Sequence, residues 1–112
     1  MGFLIAGQQL PFAELIATTT PQDRWIEALH QCENHDDVPR ILDTNNKYSY
    51  GAFMFQMDTW LSFGKKFGAT KKNINDSDLQ ALVVQDMLDK GLWRHWLTCG
   101  KRVASRLGSY PS

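Results

Sequence analysis

Glu33 stands at a position where a helix should be apolar. In Trp25-Ile26-Glu27-Ala28-Leu29-His30-Gln31-Cys32-Glu33 the large apolar groups fall at Trp25, Ile26, Leu29 and Cys32, the spacing of a core-facing stripe. With about 100° of turn per residue, Glu33 lies inside the arc of Trp25, Ile26 and Leu29, while Glu27 points elsewhere. A carboxyl on an apolar face must find a partner or give up its charge. Desolvation raises its pKa toward the range of a general acid. One proton-donating carboxyl in an apolar cleft is the minimum equipment for breaking a glycosidic bond. The competing reading is structural: a salt bridge from Glu33 to Arg24, Arg40 or Arg94, or an exposed helix end.

The elements that must position this acid are legible in outline. Thr20-Pro21-Gln22-Asp23 starts the first strong helix, with Thr20 as N-cap, Pro21 at the first helical position and Asp23 in the first turn. It should end near Glu33 or His35, since Pro39 blocks much further extension. Next, Val38-Pro39-Arg40-Ile41-Leu42 can be extended, Asp43-Thr44-Asn45-Asn46-Lys47 is turn chemistry, and Tyr48-Ser49-Tyr50 suits a return strand. The local role of Asp43 is an Asx turn before Asn45-Asn46. After Gly51, Ala52-Phe53-Met54-Phe55 is too apolar for a surface loop.

Asp58 is the expected N-cap of a helix from Thr59 to about Phe67, weakened by Gly64 and ended by Gly68. Ser77 and Gln80 have capping-box spacing at the start of the next helix, whose stripe reads Leu79, Leu82, Val83 and Met87. Gly91 fits the position after its last turn. A final helical region covers residues 92–107, and residues 1–19 read as a helical lead-in around Pro11-Phe12-Ala13-Glu14-Leu15-Ile16. The pattern is α+β and mostly helical, with one small β-hairpin.

At 112 residues the chain is one domain, with its working core at residues 20–107. A formal net charge of zero argues against wholesale nucleic-acid binding. No apolar run approaches the ~20 residues of a membrane span. Phe3-Leu4-Ile5-Ala6 is too short, and lacks the basic flank, for a signal-peptide core. Four Trp, six Phe and three Tyr are generous for this length; some must be core, and a surplus could line a groove for amphipathic ligands such as sugars.

Cys32 and Cys99 admit three readings: reduced core thiols, part of a metal site, or one disulfide. Metal is disfavoured, because neither lies in a C-x-x-C pair and no His stands at finger spacing. His30, His35 and His95 form no ligand set and read as ordinary surface or satisfied histidines. A bridge would close a loop of about 68 residues and stabilise the fold by about 4 kcal/mol in the chain-entropy model. It would also place the protein in an oxidising compartment.

The order Trp25 to Glu33, Thr44-Asn45-Asn46-Lys47-Tyr48-Ser49-Tyr50-Gly51-Ala52-Phe53-Met54-Phe55, Thr59-Trp60, Gly91-Leu92-Trp93 and Trp96-Leu97-Thr98-Cys99 resembles a lysozyme-like peptidoglycan-cleaving domain. It looks closest to resuscitation-promoting factor catalytic domains, with soluble lytic transglycosylases as wider relatives. The resemblance covers about residues 23–100 and rests on Cys-Glu, Tyr-Gly, Thr-Trp and Trp-x-x-Cys in order. It implies a lysozyme-like fold, a Cys32–Cys99 bridge, and Glu33 as general acid/base. The hairpin would then border the glycan groove, across which Asp43 would be a second carboxylate.

Three departures stand out. Asn34 replaces a usual Ser, Met54 stands where Gln is expected with Gln56 offset by two, and His35-Asp36-Asp37-Val38-Pro39 is rewritten.

The expected activity is cleavage of the β-1,4 bond between N-acetylmuramic acid and N-acetylglucosamine, as a lytic transglycosylase or muramidase. Asp43, Tyr48, Tyr50 and Gln56 are the candidate sugar contacts, with hairpin pairing or packing as the alternative for the last three. Trp60, Trp93 and Trp96 read as packing rather than stacking platforms. The Lys65/Lys66/Lys71/Lys72 cluster is a solvated loop, or an attractor of anionic wall polymers. The resemblance implies no metal or organic cofactor, peptidoglycan strands as partner, a monomer, and a secreted or wall-associated location of bacterial or phage type. The rival readings are a lysozyme-like module that binds wall glycan without turnover, and a helical interaction domain in which Glu33 is structural.

Overall fold

The computed structural model describes residues 19–111; the lead-in expected over residues 1–19 lies outside them except for Thr19. Helix α1 spans Pro21–Glu33. Its start follows the sequence closely: Thr20 Oγ1 accepts from the Asp23 amide at 3.0 Å, and Asp23 Oδ2 accepts from the Thr20 amide at 3.2 Å. These reciprocal bonds satisfy two donors that the helix leaves orphaned. Trp25, Ile26 and Leu29 are buried, as their spacing requires.

Strands β1 (Arg40–Leu42), β2 (Tyr48–Tyr50) and β3 (Phe55–Gln56) form an antiparallel sheet in that order. The hairpin is the one expected, with Ile41 opposite Ser49 and Leu42 opposite Tyr48. At its tip Asn46 adopts a left-handed conformation (φ 64°), which Asn tolerates better than most residues. The third strand was not foreseen. Two residues are too few to show alternation, and Phe55–Gln56 ends an apolar run that reads equally as buried helix or strand.

Helix α2 covers Met57–Phe63, so two expectations need correcting. Asp58 lies in the first turn rather than at the cap, and its carboxylate pairs with Lys47 Nζ at 2.9 Å. Gln56 takes the cap position without a side-chain cap bond, because its amide is engaged with the hairpin. Gly64 also ends the α-helix earlier than expected, and a 3₁₀ turn over Lys65–Phe67 follows.

Helix α3 (Ser77–Asp89) is capped by Asp76, whose Oδ1 accepts from the Leu79 amide at 3.0 Å. The expected Ser77/Gln80 capping box is absent, since the Gln80 side chain turns into the core. The buried stripe is Gln80, Val83, Val84, Met87 and Leu88, while Leu82 is 49% exposed. The shift has a physical cause: Gln80 is fully bonded and so takes the core position that its polarity had seemed to forbid. Gly91 (φ 78°) ends the helix as expected, with Gly91 and Leu92 amides returning to the Leu88 and Met87 carbonyls at 3.0 and 2.9 Å.

A 3₁₀ segment (Trp93–Trp96) leads into α4 (Leu97–Leu107). Cys32 and Cys99 form a disulfide with Cα atoms 5.7 Å apart, joining the end of α1 to α4. The core gathers Trp25, Leu29, Phe55, Trp60, Val83, Met87, Trp96 and Val103 between helices and sheet. Phe55 sits at its centre, with ring centroids 5.2 Å from Trp60 and 5.6 Å from Trp96. The indole N–H groups of Trp25, Trp60 and Trp96 donate to the carbonyls of Gly108, Thr70 and Phe53. These three tryptophans are packing residues rather than exposed sugar platforms. The result is a small α+β domain.

Candidate active site

The C-terminus of α1 and the sheet enclose a cleft of ≈ 370 Å³, lined by Glu33, Asp43, Ser49, Met54, Gln56 and His95, with Ile41, Phe55, Thr59 and Trp96 completing its wall. Among the described residues larger grooves exist, including ≈ 560 Å³ between α1 and α4, ≈ 620 Å³ between α1 and α3, and a carboxylate-free ≈ 470 Å³ at Ser62, Phe63, Lys65, Lys66 and Lys90. The first is lined by no carboxylate; the second has only the exposed Asp23, Glu27 and Asp78. Size therefore does not select the site. Chemistry does.

Glu33 is the last residue of α1 and is half-buried. Among the described residues its carboxyl has no hydrogen-bond or ion-pair partner. The three arginines that could have neutralised it are engaged elsewhere. Arg24 donates to the Thr19 carbonyl at 2.9 Å, Arg40 lies 4.1 Å over the Tyr48 ring, and Arg94 lies 4.8 Å over Trp93. Burial first, and then the negative charge of Asp43, push the Glu33 pKa from 4.5 up to about 7. At neutral pH a large share of Glu33 thus holds a proton in an open cleft, which is the state a general acid needs.

Asp43 faces Glu33 from the hairpin side. Its Oδ2 accepts the Ser49 hydroxyl and, at 3.4 Å, the Gln56 amide. Gln56 and Asn45 exchange a reciprocal pair of amide bonds, both at 3.1 Å. The side-chain Asx turn expected of Asp43 is absent. Backbone bonds close the turn, Asp43 N to Lys47 O at 2.8 Å and Asn46 N to Asp43 O at 3.0 Å, and Asn45 Oδ1 accepts from Lys47 N. The Asp43 carboxylate is thereby left for the cleft.

Of the residues expected to touch sugar, Asp43 and Gln56 line the cleft with Glu33, whereas Tyr48 and Tyr50 do not. The pleat explains the division. Ser49 pairs with Ile41 and Gln56, so these three share one face, and Tyr48 and Tyr50 take the other. There the two tyrosine rings lie 6.2 Å apart, with Arg40 over Tyr48.

No family model, curated protein or solved structure matches this chain.

Sequence reasoning missed Ser49, Thr59 and His95 as cleft residues. His95 is exposed at the cleft wall, its ring edge-on to Phe63 at 5.2 Å and 6.1 Å from Trp96. Ser49 had a usable signal, since in Tyr48-Ser49-Tyr50 only one parity can face a cleft. Met54 lines the cleft with a left-handed backbone (φ 53°), a conformation that costs an unbranched L-residue about 1–2 kcal/mol.

Asn34, another departure from the resembled pattern, is 4% exposed and serves the scaffold. Its Nδ2 donates to Val38 O and Gly51 O, both at 2.8 Å, and its Oδ1 accepts from Val38 N at 2.9 Å. It ties the loop after α1 to the turn after β2, and so fixes where Glu33 leaves the helix.

Proposed function

We propose that this domain cleaves the β-1,4 glycosidic bond between N-acetylmuramic acid and N-acetylglucosamine in peptidoglycan, with Glu33 as general acid and then general base. One observation carries the reading: an unpaired carboxyl, half-buried at a helix end and holding its proton near neutrality, lines an open cleft opposite a second carboxylate. In such a site Glu33 gives its proton to the glycosidic oxygen as the C1–O bond breaks. It then accepts a proton from the group that attacks C1, whether water or a hydroxyl of the sugar. The substrate assignment rests on the resemblance in the order of Cys32-Glu33, Tyr50-Gly51, Thr59-Trp60 and Trp96 to Cys99. The disulfide between Cys32 and Cys99 is compatible with an oxidising, extracytoplasmic setting.

The test is digestion of purified peptidoglycan by the wild-type chain and by Glu33→Gln, with released muropeptides measured across pH. Wild-type cleavage should fall as pH rises past about 7, where the acid form is lost. Glu33→Gln should lose roughly 10³-fold in rate while keeping glycan binding and a cooperative melting transition. Full activity in Glu33→Gln refutes the assignment. Glycan binding without product release by the wild type would make the domain a binding module instead. Failure to bind wall glycan at all would favour a structural interaction domain.

A further inference from the structure

We propose that the groove between α1 and α4 binds a base-free phosphodiester polymer, a polyol-phosphate chain, through Lys101, Arg102 and Arg106. The inference is independent of the role of Glu33, which lines a different cleft.

Charge is segregated along this chain although it sums to zero. Residues 90–112 hold five Lys and Arg and no Asp or Glu, whereas seven Lys and Arg and twelve Asp and Glu precede them. Two of the five cations are engaged: Lys90 pairs with Asp86 at 2.9 Å, and Arg94 lies over Trp93. The other three, Lys101, Arg102 and Arg106, are exposed on α4. Among the described residues their side chains have no ion-pair or hydrogen-bond partner.

Helical spacing gathers these charges into one groove. Arg102 and Arg106 stand one turn apart, about 6 Å along the helix axis, and so do Lys101 and Ser105. All four line the ≈ 560 Å³ groove, whose other wall is Ala28, Gln31 and Cys32 of α1. The two walls are fixed to each other by the Cys32–Cys99 bridge, with Cα atoms 5.7 Å apart, so a bound polymer need not order them. Glu27 of α1 does not line this groove. It lines the one beside α3, where Gln31 donates to it at 2.9 Å and His30 lies 3.7 Å away.

The side chains select the kind of anion. Guanidinium forks match paired phosphate oxygens, and the Ser105 hydroxyl adds a neutral donor beside them. Among the described residues no aromatic side chain lines the groove, so a nucleobase finds no stacking platform there. A lipid surface is disfavoured as well, because the apolar side of α4 at Cys99, Gly100 and Val103 is buried within the domain. What fits is a chain of phosphates carrying neither bases nor acyl groups. The four-lysine loop is a natural control, since Lys66 there is already neutralised by Asp86 at 2.7 Å.

The experiment titrates poly(glycerol phosphate) into the full chain by calorimetry at about 50 and 200 mM salt. The wild type should bind at the lower salt and weaken severalfold at the higher, as counterion release loses its advantage. Replacing Lys101, Arg102 and Arg106 together by Gln should weaken binding roughly tenfold at low salt and flatten the salt dependence. Arg106→Gln alone should show a loss of about twofold, which decides the matter if the triple variant unfolds. Replacing Lys65, Lys66, Lys71 and Lys72 by Gln should leave affinity almost unchanged. No binding by the wild type, no loss in the α4 variants, or an equal loss in the loop variant overturns the proposal. Equal or tighter binding of oligo(dT) would make this a nucleic-acid surface, and of poly-glutamate a surface for an acidic protein. Either result also overturns it.

Discussion

Glu33 and Asn34 leave the same helix end one residue apart, yet the fold treats them oppositely. Asn34 is 4% exposed, and its three side-chain bonds all go to backbone groups. Gln80 behaves likewise: its Nε2 donates to Tyr50 O and Ile74 O, and its Oε1 accepts from the Phe53 amide at 2.8 Å. Gly51 (φ 74°) lets this happen, since a Cβ there would lie 2.5 Å from Gln80 Nε2. Together the two amides lock the loops on either side of the sheet. Glu33, equally polar and partly buried, bonds to none of the described residues. Buried amides satisfied by backbone build the frame, while a half-buried acid left unsatisfied is what the proposed general acid requires. The domain thus has a frame half and a reactive half that meet at one peptide bond, and each can be perturbed separately.

The largest stability effect should come from the disulfide, which anchors the frame at the residue before Glu33. With a sequence separation of 67, the chain-entropy model assigns the bridge about 4 kcal/mol. Reduction, or replacement of Cys32 and Cys99 by Ala, should lower Tm by roughly 15–30 °C in thermal melts followed by circular dichroism. A melt unchanged by reductant would mean that α1 and α4 are held by packing alone. Next comes Gln80→Met, which keeps the volume but strands the Tyr50 and Ile74 carbonyls and the Phe53 amide. The expected cost is about 3 kcal/mol in denaturant unfolding, with the Glu33 titration moving only as far as the sheet shifts. A cost under about 1 kcal/mol would show that water replaces the lost bonds and that the frame is looser than its geometry implies.

These contrasts also mark what was legible in advance. The start of α1 was, because Thr20, Pro21 and Asp23 act on their own neighbours. So was the parity of Glu33, since helical spacing fixes which residues share a face with Trp25, Ile26 and Leu29. The hairpin was visible in Asn45-Asn46, but β3 was not, because its pairing with Tyr50 and Ser49 is non-local. Gln80 was misread for the same reason. A glutamine near a helix start suggests a cap until the fold brings three backbone groups from other segments around it. Asp43 shows the opposite error: local turn rules claimed its side chain, whereas Ser49 and Gln56, distant until the strands pair, took it for the cleft. The cleft residue Glu33 was found because it broke a local pattern. The residues that support it broke none.

The smallest effect separates the two halves most sharply, because it should appear only at high pH. Glu33 has its folded-state pKa raised from 4.5 to about 7, so the folded state binds this proton more tightly than the unfolded chain does. The stability tied to this group is therefore fully present below about pH 4.5 and is lost as pH rises through about 7. Above that, the fold holds a poorly solvated carboxylate beside the Asp43 charge at a penalty of roughly 1–2 kcal/mol, allowing for screening on its open side. Glu33→Gln removes the ionisation and keeps the shape. It should be more stable than wild type by about that margin at pH 8, and by little or nothing at pH 4.5, in paired urea unfolding curves. A frame residue cannot behave this way, since Gln80→Met should be destabilising at both pH values. If Glu33→Gln is instead destabilising at pH 8, the carboxylate belongs to the frame after all, and the division between the two halves fails at the residue on which it was drawn.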